Sequence, residues 1–270
     1  MSVVASNVMA KRVILSAPLV LRLKHLACIT NDDQVALQRA VTLTRTLNPN
    51  SKVRCLEKHA SGVRLIQQGY ACRCIVLQDG RRQIVQLLLP GDICDLRGSA
   101  DLNLEHELVA LTSTIYSEIK RTALAPLVDR HPRFGEALWR AARLNEASLH
   151  QRIVSLAQRS ATESLAHLLC EVFVRSQAVG LASGAQCRLP IRQRDVADVL
   201  GLSLVHVNRS VEVLRTAGLL HLDVDRLTVI DFAGLQKTAG FDSRYLQFNR
   251  DDHHAALSIS HPSPGTDLAA

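Results

Sequence analysis

With 270 residues, 47% hydrophobic and 21% charged, the chain is long enough for two domains and apolar enough to bury a core in each. Its formal net charge of +7 favours an acidic partner, nucleic acid or an anionic membrane, and no apolar run reaches the roughly 18–20 residues that cross a bilayer. The N-terminus lacks a signal peptide's charged start, greasy stretch and cleavage site, and the seven cysteines lack the spacing of a secreted disulfide scaffold, so a cytoplasmic protein with reduced thiols is expected.

Residues 18–47 carry helical spacing, with Thr30 to Asp33 placed to cap a helix bearing Val35, Leu37 and Val41. From Val53 to Ile119 short alternating or wholly apolar runs predict strands at 62–67, 72–77, 83–89 and 108–119. The turn signals Asp79-Gly80, Pro90-Gly91-Asp92 and Arg97-Gly98-Ser99 separate them, and such spacing suggests a barrel or sandwich. After Pro132 the texture becomes one long amphipathic helix over 134–156, in which Leu138, Ala142, Asn145, Leu149 and Leu156 recur near a 3.5-residue period. That stripe wants a partner helix, and a second copy of the chain supplies one. Asn145 then either fixes the register between the two copies or packs within its own subunit. A second helix over 162–175 carries Leu165, Leu168, Leu169, Val172 and Phe173, and a loop with Gly180 and Gly184 follows.

Residues 191–220, IRQRDVADVLGLSLVHVNRSVEVLRTAGLL, divide into a short helix, a turn at Gly201 and a second helix capped by Ser203. This is helix-turn-helix spacing. Val196, Ala197 and Leu200 give the first helix its apolar side, and Val207, Val211 and Leu214 give the second a buried stripe. The other side of the second helix is left for DNA: Leu204, Val205, Asn208 and Arg209, with Ser203 and His206 at the start, where backbone amides favour a phosphate. Arg192 and Gln193, at the start of the first helix, join the expected DNA-binding set. Arg209 suits the major-groove edge of guanine and Asn208 that of adenine. After Gly218 the run 219–222, the tip Asp223-Val224-Asp225 and the run 226–230 predict a two-stranded wing.

A β-rich domain, a long helix, a second helix and a winged helix-turn-helix, in this order, resemble the Crp/Fnr family of bacterial regulators over residues 15–245. DGRRQIVQLLLPGDICDL at 79–96, RSATESLAHLLCEVFVR at 159–175 and LPIRQRDVADVLGLSLVHVNRSVEVLRTAGLL at 189–220 carry the resemblance. It implies an α+β chain: a cyclic-nucleotide-binding-type β jelly roll over 15–130, a dimerisation helix over 131–158 and a winged helix-turn-helix domain over 159–245. It also implies a homodimer on a palindromic promoter site, with RNA polymerase as a partner and an effector at the β roll. The chain departs from the family at the effector loop, made of Gly91, Asp92, Asp95 and Glu105. No Arg-Ser or Arg-Thr pair follows to hold a phosphate, and Glu105 and Glu107 would repel one, so cyclic AMP is not expected to bind. Val205 stands where many members carry a glutamate that pairs with cytosine, which predicts a different half-site. Ser210 is polar where an aliphatic residue is common.

Cys72 and Cys74 share a strand face and, with Cys94, offer a redox- or gas-responsive alternative, set against a role as small apolar fillers. Cys170 and Cys187 read as fillers. The N-terminus has only Cys28, then Cys55, so no iron-sulfur cluster is expected. Glu105-His106-Glu107 reads as a solvated strand face. A tail over 249–270, rich in Ser, Pro and Gly around His253-His254, is expected to be disordered. With no phosphate loop, nucleophile elbow or HExxH zinc spacing, neither catalysis nor a cofactor is expected.

Overall fold

The computed structural model describes residues 14–54, 62–95 and 107–246. Leu96, the Arg97-Gly98-Ser99 turn, Cys55, Glu105, His106 and the 249–270 tail lie outside them.

Two helices lead in: α1 (Ala17–Leu26) and α2 (Asn31–Ala40). At α2 the Thr30 hydroxyl accepts from the Asp33 amide while Asp33 accepts from the Thr30 amide, which satisfies two otherwise orphaned donors.

Among the described residues eight strands follow: β1 (Leu43–Leu47), β2 (Lys52–Arg54), β3 (Gly62–Gln68), β4 (Ala71–Val76), β5 (Arg82–Leu88), β6 (Ile93–Cys94), β7 (Glu107–Ala110) and β8 (Thr114–Lys120). They form two antiparallel sheets ordered β1-β8-β3-β6 and β2-β7-β4-β5. Pairing first with last, second with seventh and so inward is the wrapping of a jelly roll. The run expected as one strand over 108–119 is two strands. The amides of Leu111 and Thr112 both turn onto the Tyr70 carbonyl and break the ladder between them. Ile66, Ala71, Leu88, Cys94, Leu108 and Tyr116 fill the roll.

After α3 (Arg121–Arg130), α4 runs from Pro132 to Ala157, its first-turn proline sitting where no intrahelical donor is needed. One side of α4 buries Phe134, Ala137, Ala141 and Leu144 against α1 and the roll. Helix α5 (Ala161–Ala178) is capped by Ser160 and Glu163 and is buried all round: every residue from Ser164 to Ser176 is inside.

The C-terminal part adds β9 (Ala182–Ser183), β10 (Gln186–Arg188), α6 (Gln193–Leu200), α7 (Leu204–Thr216), β11 (Leu220–Leu222), β12 (Arg226–Val229), α8 (Phe232–Ala239) and a final turn at Ser243–Leu246. Its core is not its own. Tyr70, Cys72, Cys74, Ile84, Leu87 and Val109 of the roll lie in one cluster with Leu168, Val172, Val196, Val199 and Leu200.

Candidate nucleic-acid interface

The interface begins at a glycine. Gly201 has φ +64° and closes α6, and a Cβ there would also come within 2.9 Å of Leu156 at the end of α4. Ser203 then caps α7, its hydroxyl accepting from the His206 amide at 3.3 Å and touching His206 Nδ1 at 3.1 Å. Val207, Ser210 and Leu214 are buried, whereas Val211 is only half-buried. The polar residue therefore sits deeper in the stripe than the valine expected there. The geometry explains it: the Thr162 hydroxyl donates to Ser210 Oγ at 3.4 Å, so α5 meets α7 through a hydroxyl pair.

The opposite side of α7 presents Leu204, Val205, His206, Asn208 and Arg209 to solvent, Val205 at 74% exposure. Among the described residues Arg209 has no ion pair, unlike Arg215, which Glu212 holds at 2.8 Å. Arg192 and Gln193 are exposed at the start of α6, and Arg194, a cation the sequence reading passed over, is exposed beside them. Asp195 caps this helix, accepting from the Arg192 amide at 3.3 Å.

The wing is the β11–β12 hairpin, extended by β10 and β9 into a sheet ordered β11-β12-β10-β9. Its tip carries Val224, almost wholly exposed, between two carboxylates. Asp223 lies 3.0 Å from His221 and Asp225 lies 3.1 Å from Arg188. An acidic tip repels phosphate, so α7 and the start of α6 offer the favourable surface.

A clamp fixes this unit to the roll. Arg82 of β5 donates from Nε to Asp198 Oδ2 at 2.8 Å and from Nη2 to Asp195 of the same helix. Gln83 donates to the Asp198 carbonyl at 2.8 Å, and the Tyr70 hydroxyl to the Arg188 carbonyl at 2.8 Å. Burial opposes the Arg82 charge, but the two aspartates prevail and raise its pKa further.

The residues of the expected dimerisation stripe divide between two faces of α4. Ala142, Leu149 and Leu156 are exposed, but Leu138 is partly buried against its own core. Asn145 is committed to its own chain, accepting from Gln86 Nε2 at 2.8 Å and donating to the Ile93 carbonyl at 3.4 Å. The exposed stripe runs instead through Trp139, Ala142, Glu146, Leu149, Ile153 and Leu156, spaced three and four residues apart in strict alternation.

The expected effector loop is held by arginines of its own chain. Gly91, with φ +96°, lies so close to α1 that a Cβ would stand 2.7 Å from the Pro18 carbonyl oxygen. Asp92 accepts from the Leu89 amide at 2.7 Å and from Arg175 of α5, so it faces the junction with α5. Asp95 pairs with Arg64 at 2.6 Å, and Arg64 also lies 3.5 Å from Glu118.

Cys72 and Cys74 are sealed between the roll and α6, and Cys94 packs in a different cluster, inside the roll. The contact with Cys74 and burial together hold the Cys72 thiol well above its usual range, whereas the same contact lowers that of Cys74 against the opposing effect of burial. Burial raises Cys170 to about 12 and Cys187 to about 11. No group of three potential metal ligands exists among the described residues.

A family model described as a Crp-like helix-turn-helix domain matches residues 163–238. The transcriptional activator protein FnrL of Cereibacter sphaeroides is 30% identical over 179 residues, which are 65% of this chain and 71% of FnrL. The nitrogen fixation regulation protein FixK of Azorhizobium caulinodans is 24% identical over 181 residues, 67% of this chain and 72% of FixK. Among solved structures, FixK2 from Bradyrhizobium japonicum superposes with a TM-score of 0.65 over 74% of this chain and 98% of its own, at 23% identity, which is a likeness of fold.

Proposed function

The chain belongs to the Crp/Fnr family of transcription regulators, and on that premise we propose that it acts as a homodimer that grips a palindromic promoter site, one α7 helix in each half-site. The exposed face of α7 carries this reading: a capped helix start, with an asparagine one turn in and an arginine that has no ion pair among the described residues. In this arrangement Ser203 and His206 meet a phosphate, while Arg209 reads guanine and Asn208 adenine. Val205 and Leu204 lie against a thymine methyl. Arg192, Gln193 and Arg194 approach the backbone from the start of α6. Two such helices related by a two-fold axis lie one DNA turn, roughly 34–36 Å, apart.

The partner surface for the second copy is the stripe of α4 through Trp139, Ala142, Glu146, Leu149, Ile153 and Leu156. Its alternating spacing is that of a two-stranded coiled coil, and large apolar side chains on it stand exposed in the single chain. Roles for Leu138 and Asn145 in that seam are not retained, because both serve their own subunit. RNA polymerase is the further partner in transcription. The effector is not cyclic AMP: Asp92 and Asp95 are already neutralised by arginines of the same chain, and no phosphate-holding pair follows Asp95 in the sequence. The complete burial of Cys72, Cys74 and Cys94 supports their role as fillers over a redox response.

Selection of genomic fragments by the purified full-length chain at fixed salt tests the reading. Enrichment of a two-fold motif with half-sites one turn apart supports it. Enrichment of a single unrepeated half-site removes the dimer from the proposal, and retention of DNA without any sequence preference removes the base-reading roles.

A further inference from the structure

A groove of about 690 Å³, open to solvent along one side, lies between α5, the start of α6, α7 and the wing. Leu165 and Leu169 of α5, Val196 of α6, Val207 and Val211 of α7 and Leu222 of β11 make its walls apolar. Apolar surface of this extent inside a polar rim marks a contact site. The rim carries both signs of charge. Arg192, exposed and without an ion pair among the described residues, stands with Gln193 on the α6 side. Asp223 and Asp225 stand on the wing side, where His221 at 3.0 Å and Arg188 at 3.1 Å already hold the two carboxylates.

The chain carries a segment of matching chemistry. Residues 247–270, which follow Leu246, hold one arginine, Arg250, against the three aspartates Asp251, Asp252 and Asp267. Asp251-Asp252 and His253-His254 precede Ala255-Ala256-Leu257-Ser258-Ile259, in which Leu257 and Ile259 share one side when the chain is extended. Adjacent residues then point to opposite sides, so Asp252 can face Arg192 while the His253 imidazole donates to the wing carboxylates. The segment also starts within reach. Tyr245 sits on Glu171 and the groove on Leu165 and Leu169, so both lie on α5, at most six residues or about 9 Å apart along its axis. They lie on nearly opposite sides of that helix, and half its girth adds about 17 Å. The stretch from Leu246 to Leu257 spans up to about 36 Å when extended, which leaves slack for passing the elements packed on α5.

We propose that residues 250–260 dock in this groove of their own chain, with Leu257 and Ile259 against its apolar walls and the acidic pair at Arg192. An open groove suits an extended segment, laid in through alternate apolar side chains, better than it suits a small molecule that needs enclosure. Docked there, the segment covers Arg192 and Gln193 and competes with a DNA backbone for them. That consequence rests on the DNA-binding reading above; the docking itself does not.

The photo-crosslinker p-benzoylphenylalanine is placed at position 258 of the full chain, irradiated without DNA, and its attachment points are located by mass spectrometry. Attachment to residues 189–196, 207–211 or 222–225 of the same chain is expected, and Leu257→Asp with Ile259→Asp should abolish it. Attachment elsewhere on the fold, no attachment, or attachment that survives the double substitution overturns the docking. So does attachment confined to a second copy, which mixing isotope-labelled with unlabelled protein reveals. Ending the chain at Asn249 should then tighten binding to a random duplex by about threefold or more at fixed salt, because covered chains no longer count against binding. Unchanged affinity with the cross-link in place removes the competition. If neither form binds any duplex, the DNA-binding reading falls, and the docking stands on the cross-link alone.

Discussion

Replacing Arg82 by methionine keeps the methylene stem on the roll and removes the charge that holds α6. Arg82 is 24% exposed, and its partners Asp195 and Asp198 are 11% and 22% exposed at the side chain, so solvent screens the three groups only in part. Breaking a fully buried pair costs about 3–5 kcal/mol and an exposed one less than about 1 kcal/mol. At this burial the loss should be about 2 kcal/mol, most of it from leaving Asp195 without its cation. A double-mutant cycle with Asp198→Asn isolates the contact itself, with an expected coupling of about 1–2 kcal/mol. Urea unfolding, read both by far-UV circular dichroism and by the fluorescence of Trp139, the chain's one tryptophan, measures both quantities. If the two substitutions add within about 0.5 kcal/mol, the strand and the helix are not in contact in solution, and the clamp is refuted.

Arg209→Ala should weaken specific DNA binding by about 1–3 kcal/mol in a fixed-salt titration, with no change in unfolding midpoint, and equal binding by the variant would remove Arg209 from the base-reading set. Ile153→Arg strips about 2 kcal/mol of apolar burial from each copy, so the dimer dissociation constant should rise about a thousandfold in sedimentation equilibrium while the single chain stays folded. An unchanged dimer would place the seam elsewhere. His167, 2% exposed against Phe241 and Tyr245, has its pKa lowered by burial to about 4. The unfolded chain therefore takes up a proton near pH 6.5 that the folded chain refuses, and stability should fall between about pH 6.5 and 4 by up to about 1.4 kcal/mol per pH unit. His167→Phe should flatten that slope, and an unchanged slope would assign it to other groups.

The DNA-facing unit was legible because its signals are local. Gly201 needs a left-handed turn, Ser203 caps the helix that follows, and both act within three or four residues of themselves. The exposed apolar stripe on α4, the proposed seam, was legible only to within one position. That helix carries an inward stripe of Phe134, Ala137, Ala141 and Leu144 beside an outward one, and a search for one apolar period merges them, drawing in Leu138 and Asn145. Trp139 and Ile153 complete the outward stripe and were missed. The clamp gave no signal at all. Arg82 and its aspartates are more than a hundred residues apart, and an arginine opening a strand after Asp79-Gly80 looks like solvated turn chemistry. The loop acids pointed to a damaged ligand pocket, but Asp92 is answered by Arg175, a cation on a helix 83 residues later. The two-strand break at 111–113 was hidden because it depends on the Tyr70 carbonyl across the sheet.

The helix α5, inside on every side, bears on how this regulator can be taken apart. Sequence similarity places the start of the helix-turn-helix domain at residue 163, within the first turn of α5. A fragment cut there would expose the Leu168, Val172 and Leu200 surface that the roll covers, inviting aggregation. A chimaera joined there would marry that surface to a foreign sheet. Retargeting the protein to a new operator is better done by exchanging only the solvent-facing residues of α7, since none of those side chains belongs to the core that the two halves share.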